Sequence, residues 1–346
     1  MDPSDPLDTR ILSVGTALPG PAVDNAALAR RFGMDPLWEQ WVDAFIGTRT
    51  RHLAVDIDTG RIRCSLADLA EQAGRSALES AGVAPADIDL VVMGTSTPDQ
   101  LMPATVNVVA DRLGIDQVPS FQLQSGCSGA VQALDVARQM LLTGRHRTAL
   151  VLGGDVVARF YDLRARLASL PPSQLVNYVL FGDGAGAAVL TTAPAPDAVR
   201  LRAVHTRLVG LGREPGAVLE WFGPVDRHSE RAPAAEDYKA IEQHVPVLAA
   251  EVVDTLLDEL GWEREQVDHL LPPQLSGRMT QRIVRHLNLP GAAEVSCVDE
   301  TGNNGNGLSF FQLERALAKL GPGGRAIGIA IESSKWIKSG FALERD

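Results

Sequence analysis

Apolar residues along this chain switch between two periods, and the switches lay out a run of strands and helices. Ile11–Ala17 (ILSVGTA) reads as a first strand, and helical spacing starts at Asn25 after Pro-rich punctuation. Leu66–Ser80 is amphipathic and stops at Gly82. Leu90–Gly94 (LVVMG) is a continuous apolar run of strand length, and Thr105–Leu113 returns to helical spacing. Phe121–Leu123 predicts a short strand, and Gln124–Gly129 a tight Gly/Ser turn. Ala130 onward predicts a helix with Val131, Leu134, Val136, Met140 and Leu141 on its apolar face. Thr148–Leu152 and Ala185–Leu190 are further strands, separated by an irregular insertion, Arg159–Leu175. The stretch Leu208–Asp237 has a pattern too weak to assign.

The pattern then recurs. Ala77–Gly94 (ALESAGVAPADIDLVVMG) lines up with Leu256–Pro273 (LLDELGWEREQVDHLLPP). In both, a helix ends at glycine (Gly82, Gly261), an aspartate follows (Asp89, Asp268), and an apolar strand comes next. Each unit continues through a helix ending in LGI or LNL, another strand (FQLQ, AEVSC), a loop of small residues and a further helix. Helix–strand units are common, so chance likeness is the competing account. The shared order, sustained through both halves, favours duplication. Residues 1–192 then form one half and 193–346 the other. Packing about a pseudo-two-fold would bring the two small-residue loops toward one cavity.

Composition narrows the function class. At 346 residues, 45% hydrophobic and 22% charged, the chain can bury a large core. A net charge of −11 speaks against a nucleic-acid role. The acidic N-terminus (MDPSDPLDTR) has no signal-peptide core, and no run of about 18 apolar residues follows, which predicts a cytoplasmic protein. Cys64, Cys127 and Cys297 have no metal-ligand spacing, and their odd number argues against a disulfide framework. Gly182–Gly186 (GDGAG) looks like a phosphate loop but precedes a strand, so it reads as a turn.

Chemistry concentrates at Cys127. Small residues on both sides of one reactive side chain, at a strand-to-helix turn, are how a fold presents a nucleophile. The adjacent helix N-terminus predicts a thiol biased toward thiolate. A buried structural cysteine is the competing reading.

With those stretches in view, the chain resembles the thiolase-like superfamily, specifically its β-ketoacyl-acyl carrier protein synthase III branch. The resemblance rests on ILSVGTALP, FIGTRTRHLA, VVMGTSTPD, SGCSGAVQALDVA, TALVLGGDVVARFYD, FGDGAGAAVL, PPQLSGR and TGNNGNG. It implies an α/β, duplicated, five-layered αβαβα fold, a homodimer, and an acyl thioester formed on the cysteine. The donor would be an acyl carrier protein or coenzyme A, with no tightly bound cofactor and no metal.

Position by position, the family's nucleophile falls on Cys127 and its loop asparagine on Asn303. Three departures matter. The family's histidine, part of a Pro-His-Gln segment, falls on Pro273; His269 lies upstream in the strand pattern. In the family, histidine and asparagine stabilise the enolate left by decarboxylation, and proline offers no side-chain donor. Ordinary chain extension is therefore disfavoured. The glycine-rich oxyanion loop becomes Ile331–Trp336 (IESSKW), where the backbone N–H of Ser333 or Ser334 can still complete the hole with that of Cys127. Glu332 is a new carboxylate there, either a replacement base or a solvated side chain. The third departure concerns the donor. Trp41 keeps a position that stacks on coenzyme A, whereas a nearby arginine becomes Phe45. Arg278 matches a carrier-docking residue, and Arg282 and Arg285 extend it into a basic stripe suited to an acidic carrier protein, or simply a solvated helix face. Met102 aligns with a residue that reaches the partner subunit's acyl pocket, or is plain interface core.

Three functions compete. The leading one is an acyltransferase passing the Cys127 acyl group to a hydroxyl or amine of a small molecule in natural-product biosynthesis. The second is a decarboxylative condensing enzyme relying on Asn303. The third is a non-catalytic partner subunit of a ketosynthase heterodimer.

Overall fold

The computed structural model describes residues 8–170, 172–195, 198–223, 225, 228, 231 and 234–346. The acidic start of the N-terminus lies outside them.

Ten strands form one continuous sheet. Five come from the first half: β1 (Arg10–Ala17), β2 (Leu90–Gly94), β3 (Ser120–Leu123), β4 (Thr148–Asp155) and β5 (Gly184–Thr191). Five come from the second: β6 (Val199–Leu208), β7 (His269–Leu271), β8 (Ala293–Glu294), β9 (Arg325–Glu332) and β10 (Ile337–Arg345). Their order is β3-β2-β4-β5-β1-β6-β10-β9-β7-β8. Outward from the centre, each strand of the first half therefore occupies the place its counterpart holds in the second. The directions repeat too. β2 is parallel to β3 and β4, as β7 is to β8 and β9, while β5 and β10 run antiparallel to their neighbours. Within the main sheet the two halves meet strand to strand at β1 and β6, through Arg10–Arg200 and Ile11–Val199.

Among the described residues, the helices of eight residues or more are α1 (Asn25–Phe32), α2 (Pro36–Phe45), α3 (Leu66–Ala81), α4 (Thr105–Leu113), α5 (Gly129–Leu142), α6 (Tyr238–Leu260), α7 (Gly277–Leu287) and α8 (Leu308–Leu317). α3 packs on β1, β4 and β5, with α4 beside it; α6 packs on β6, β9 and β10, with α7 beside it. Between the halves, α5 touches β2 and β4 but also β6 and β10, and α8 touches β1 and β5 but also β7 and β9. The layers are thus helix, sheet, paired helices, sheet, helix: the five-layered αβαβα arrangement.

Local sequence explains the boundaries. Ser65 and Asp68 cap α3 reciprocally, side chain to backbone in both directions. α3 and α6 both end on a left-handed glycine, Gly82 and Gly261, each at φ 64°. The AEVSC strand is shorter than its apolar run predicts. Ala293–Glu294 pairs with β7, but the Gln274 side-chain Oε1 then accepts the N–H groups of Cys297 and Val298, and the chain leaves the sheet. GDGAG is likewise only partly a turn, because β5 already begins at Gly184. Among the described residues no helix is long and apolar enough to cross a membrane.

The central core lies around α5 and α8, where Phe310 is fully buried. Its ring lies over Gly153 and Gly186; a Cβ at Gly186 would stand 2.2 Å from that of Phe310. Phe310→Ala should therefore lower stability by about 3–5 kcal/mol, read as a lower midpoint in chemical denaturation.

Candidate active site

Cys127 sits in a single 3-10 turn, Gly126–Ser128, between β3 and α5. Gly126 has φ 51°, a conformation that favours glycine, and a Cβ there would strike the Glu332 carboxylate. The turn is stiffened by Ser128, whose hydroxyl donates to Ser125 O at 2.9 Å and accepts from Gln132 Nε2 at 2.9 Å.

The counterpart loop meets this turn from the other half. Asn306 Oδ1 accepts the Ala130 N–H at 2.7 Å, which caps α5 from outside its own sequence. Asn306 Nδ2 donates to Asp155 Oδ2 at 2.7 Å, and the Asn306 N–H donates to the same oxygen at 2.8 Å. Asp155, at the end of β4, is 2% exposed, and its other oxygen accepts from the Ser96 and Thr97 N–H groups and the Thr95 and Thr97 hydroxyls. Burial still pushes its pKa up against those hydrogen bonds.

Asn303 is 7% exposed, and its Oδ1 accepts the Gly305 N–H at 3.1 Å. Its amide nitrogen makes no protein hydrogen bond among the described residues and remains a donor for a ligand. Pro273 is buried after β7, its carbonyl facing the Thr280 hydroxyl at 3.5 Å. His269 cannot take its place. It opens β7, paired with Ala293 and Ala326, at the strand's opposite end.

The two N–H groups expected to form an oxyanion hole face one another across a carboxylate. The N–H groups of Cys127 and Ser334 both donate to the Glu332 carboxylate, the latter at 2.5 Å. Glu332 is 4% exposed, so the solvated-side-chain reading does not hold. Burial raises its pKa while these hydrogen bonds oppose the rise. Glu236 approaches from a short strand, Ala234–Glu236, anchored by Asp237 N–H to Gly216 O and Gly216 N–H to Ser333 O. Burial and the Glu332 charge push Glu236 up to about 7.

This reverses the thiolate expectation. Burial, then Glu332, Asp155 and Glu236, push the Cys127 thiol well above its ordinary value. The N–H groups that would have favoured the anion are already engaged by Glu332 and Asn306.

The residues expected to face the acyl donor lie elsewhere. Trp41, Phe45, Arg278, Arg282 and Arg285 line one groove of about 560 Å³. The Trp41 and Phe45 rings lie 6.1 Å apart, and Phe45 is exposed. Arg278 donates to Ala44 O at 2.8 Å and Arg282 pairs with Glu242, whereas Arg285 has no such partner among the described residues. Met102 stands on a surface loop, 86% exposed on the single chain.

Asp155, Asn306 and Glu236 escaped the sequence reading. A lone acid closing the apolar run of β4 was the available signal for Asp155; Glu236 lies in the weakly patterned 208–237 stretch.

Residues 121–208 match the family described as 3-oxoacyl-[acyl-carrier-protein (ACP)] synthase III. A β-ketoacyl-[acyl-carrier-protein] synthase III from Rhodospirillum centenum is 34% identical over 301 residues, 86% of each chain. The chain belongs to the β-ketoacyl-acyl carrier protein synthase III family. Among solved structures, synthase III from Pseudomonas aeruginosa PAO1 is 27% identical with a TM-score of 0.84, covering 97% of this chain and 98% of its own. A structure described as AbyA1, a tetronic acid condensing enzyme, is 70% identical with a TM-score of 0.95, covering 97% and 99%.

The raised Glu236 carboxyl gives this synthase III-family site a pH signature. Folded, Glu236 keeps its proton to about pH 7; unfolded, it loses it near 4.5. The folded state holds the extra proton between those values, so this group's contribution to stability falls as pH rises through that window. Glu236→Gln should flatten the loss, measured by chemical denaturation at several pH values across it.

Proposed function

We propose that this chain is an acyltransferase in natural-product assembly. Cys127 takes an acyl group from an acyl carrier protein or coenzyme A and passes it to the hydroxyl or amine of a small molecule. The observation that carries this is that the Cys127 and Ser334 N–H groups, from the two halves of the chain, both point at one carboxylate beside the thiol, one on each of its oxygens, which supports a site for a thioester oxyanion there. Proline at 273 supports transfer over decarboxylative extension, because no histidine stands there to stabilise an enolate. The groove of Trp41, Phe45 and the three arginines supports a donor carrying phosphate or acidic groups. Leu101 and Met102, both exposed and apolar, fit cover by a second copy of the chain in a homodimer.

Similarity to a tetronic acid condensing enzyme favours a hydroxyl as acceptor. A tetronic acid is a lactone carrying a β-dicarbonyl unit, so assembling one from two acyl units needs a C–O bond and a C–C bond. Acyl transfer from Cys127 to oxygen is one of those steps. Condensation at carbon is the second reading, with Asn303 Nδ2 as the available enolate donor.

Intact-protein mass spectrometry with acyl-carrier and acyl-coenzyme A donors tests the reading. Wild type should gain one acyl mass that Cys127→Ala does not. Labelled protein should then lose it to a hydroxyl or amine acceptor. No adduct with any donor would sink the proposal in favour of a non-catalytic partner subunit.

A further inference from the structure

The feature left over is the carboxylate standing where an oxyanion belongs. Glu332 is not a surface group that happens to fold inward. It ends β9, its backbone is held by the β9–β10 ladder opposite Ile337, and its carboxylate spans two backbone donors from opposite halves of the chain. Position 126 is glycine in a left-handed conformation, leaving room for that carboxylate alone. The Cys127 thiol lies near enough to Glu332 for that carboxyl to push it toward the protonated form. A carboxylate beside the nucleophile that also holds the Cys127 and Ser334 N–H groups is placed for two consecutive roles.

We propose that Glu332 closes the oxyanion hole in the resting enzyme and accepts the Cys127 proton when a thioester enters, a role that rests on the acyl-Cys127 reading above. As Cys127 Sγ attacks the thioester carbonyl carbon, its S–H proton passes to Glu332. The neutral carboxyl holds the two N–H groups less strongly than the carboxylate did, and the substrate oxygen replaces it on them as it gains charge. Collapse breaks the bond to the donor sulfur, which leaves as a thiol with the proton from Glu332. Acyl-Cys127, a free thiol and an ionised Glu332 result, so no further reactant is required. The site needs such a group because the thiol, faced by Glu332, Asp155 and Glu236, does not ionise by itself near neutral pH.

Two rates separate this role from a structural one. Alkylation of Cys127 by iodoacetamide follows thiolate content and needs no oxyanion hole. Acylation by acetyl-coenzyme A or a hexanoyl N-acetylcysteamine thioester needs both hole and base. In Glu332→Gln the side chain keeps one acceptor oxygen, so it can hold only one of the two N–H groups, and it carries no charge and takes no proton. Alkylation at pH 7 should become about tenfold faster, one pKa step from the lost charge. Acylation should become about 100-fold slower or more, the usual effect of removing a general base. Glu332→Ala should show the same opposite pair; should it fail to fold, the isosteric Gln variant carries the test. Acylation as fast in Glu332→Ala as in wild type, or faster, would mean that the side chain only blocks the hole. Unchanged alkylation in Glu332→Gln would mean that it does not act on the thiol. Either result overturns the proposal. A wild type that alkylates but takes no acyl group from either donor overturns the thioester reading itself, and the proton transfer with it.

Discussion

The site depends on one buried carboxylate, Asp155, more than on any residue that meets substrate. It ends a strand of the first half and receives both the side-chain and the backbone N–H of Asn306 from the second. Asn306 in turn caps the helix that follows the nucleophile. The main-sheet junction between the halves is only two residue pairs long, so it cannot fix the loops near Cys127 by itself. A charge-assisted hydrogen-bond network with almost no water access does so instead. Such a network tolerates little variation, since an unpaired member would be left buried without solvent.

The electrostatics around Cys127 run opposite to those of a typical activated cysteine. Three carboxyl groups act on the thiol from different elements: Glu332 from β9, Asp155 from β4, and Glu236 from a small peripheral hairpin. The thiol is consequently held protonated. A protonated, half-covered thiol reacts slowly with oxidants and stray electrophiles. The same arrangement makes the nucleophile conditional on what occupies the pocket.

Much of this was written in the chain. Fully apolar runs such as LVVMG and amphipathic stretches such as Leu66–Ser80 carry their own period, and α4 spans Thr105–Leu113 as the spacing predicts. The internal repeat emerges as a strand order that reads alike from either side of the centre. Cys127 was legible because glycine and serine crowd around it. The environment of Cys127 was not. The charge that governs it arrives from residues 28 and 205 positions away, and no local pattern encodes which backbone N–H a distant glutamate will find. Glu236 was hidden for a further reason: its strand is three residues long and pairs only with Ala217–Leu219, too little to leave a periodic trace.

The contact between Glu332 and Gly126 also constrains position 126. With a carboxylate at 332, any side chain at 126 meets it at less than bonding clearance, on top of the backbone strain. A side chain at 126 would therefore push the Glu332 carboxylate off the Cys127 N–H, so the arrangement described here and glycine at 126 stand or fall together. What looks like a detail of turn geometry thus decides whether the acid can sit beside the nucleophile at all.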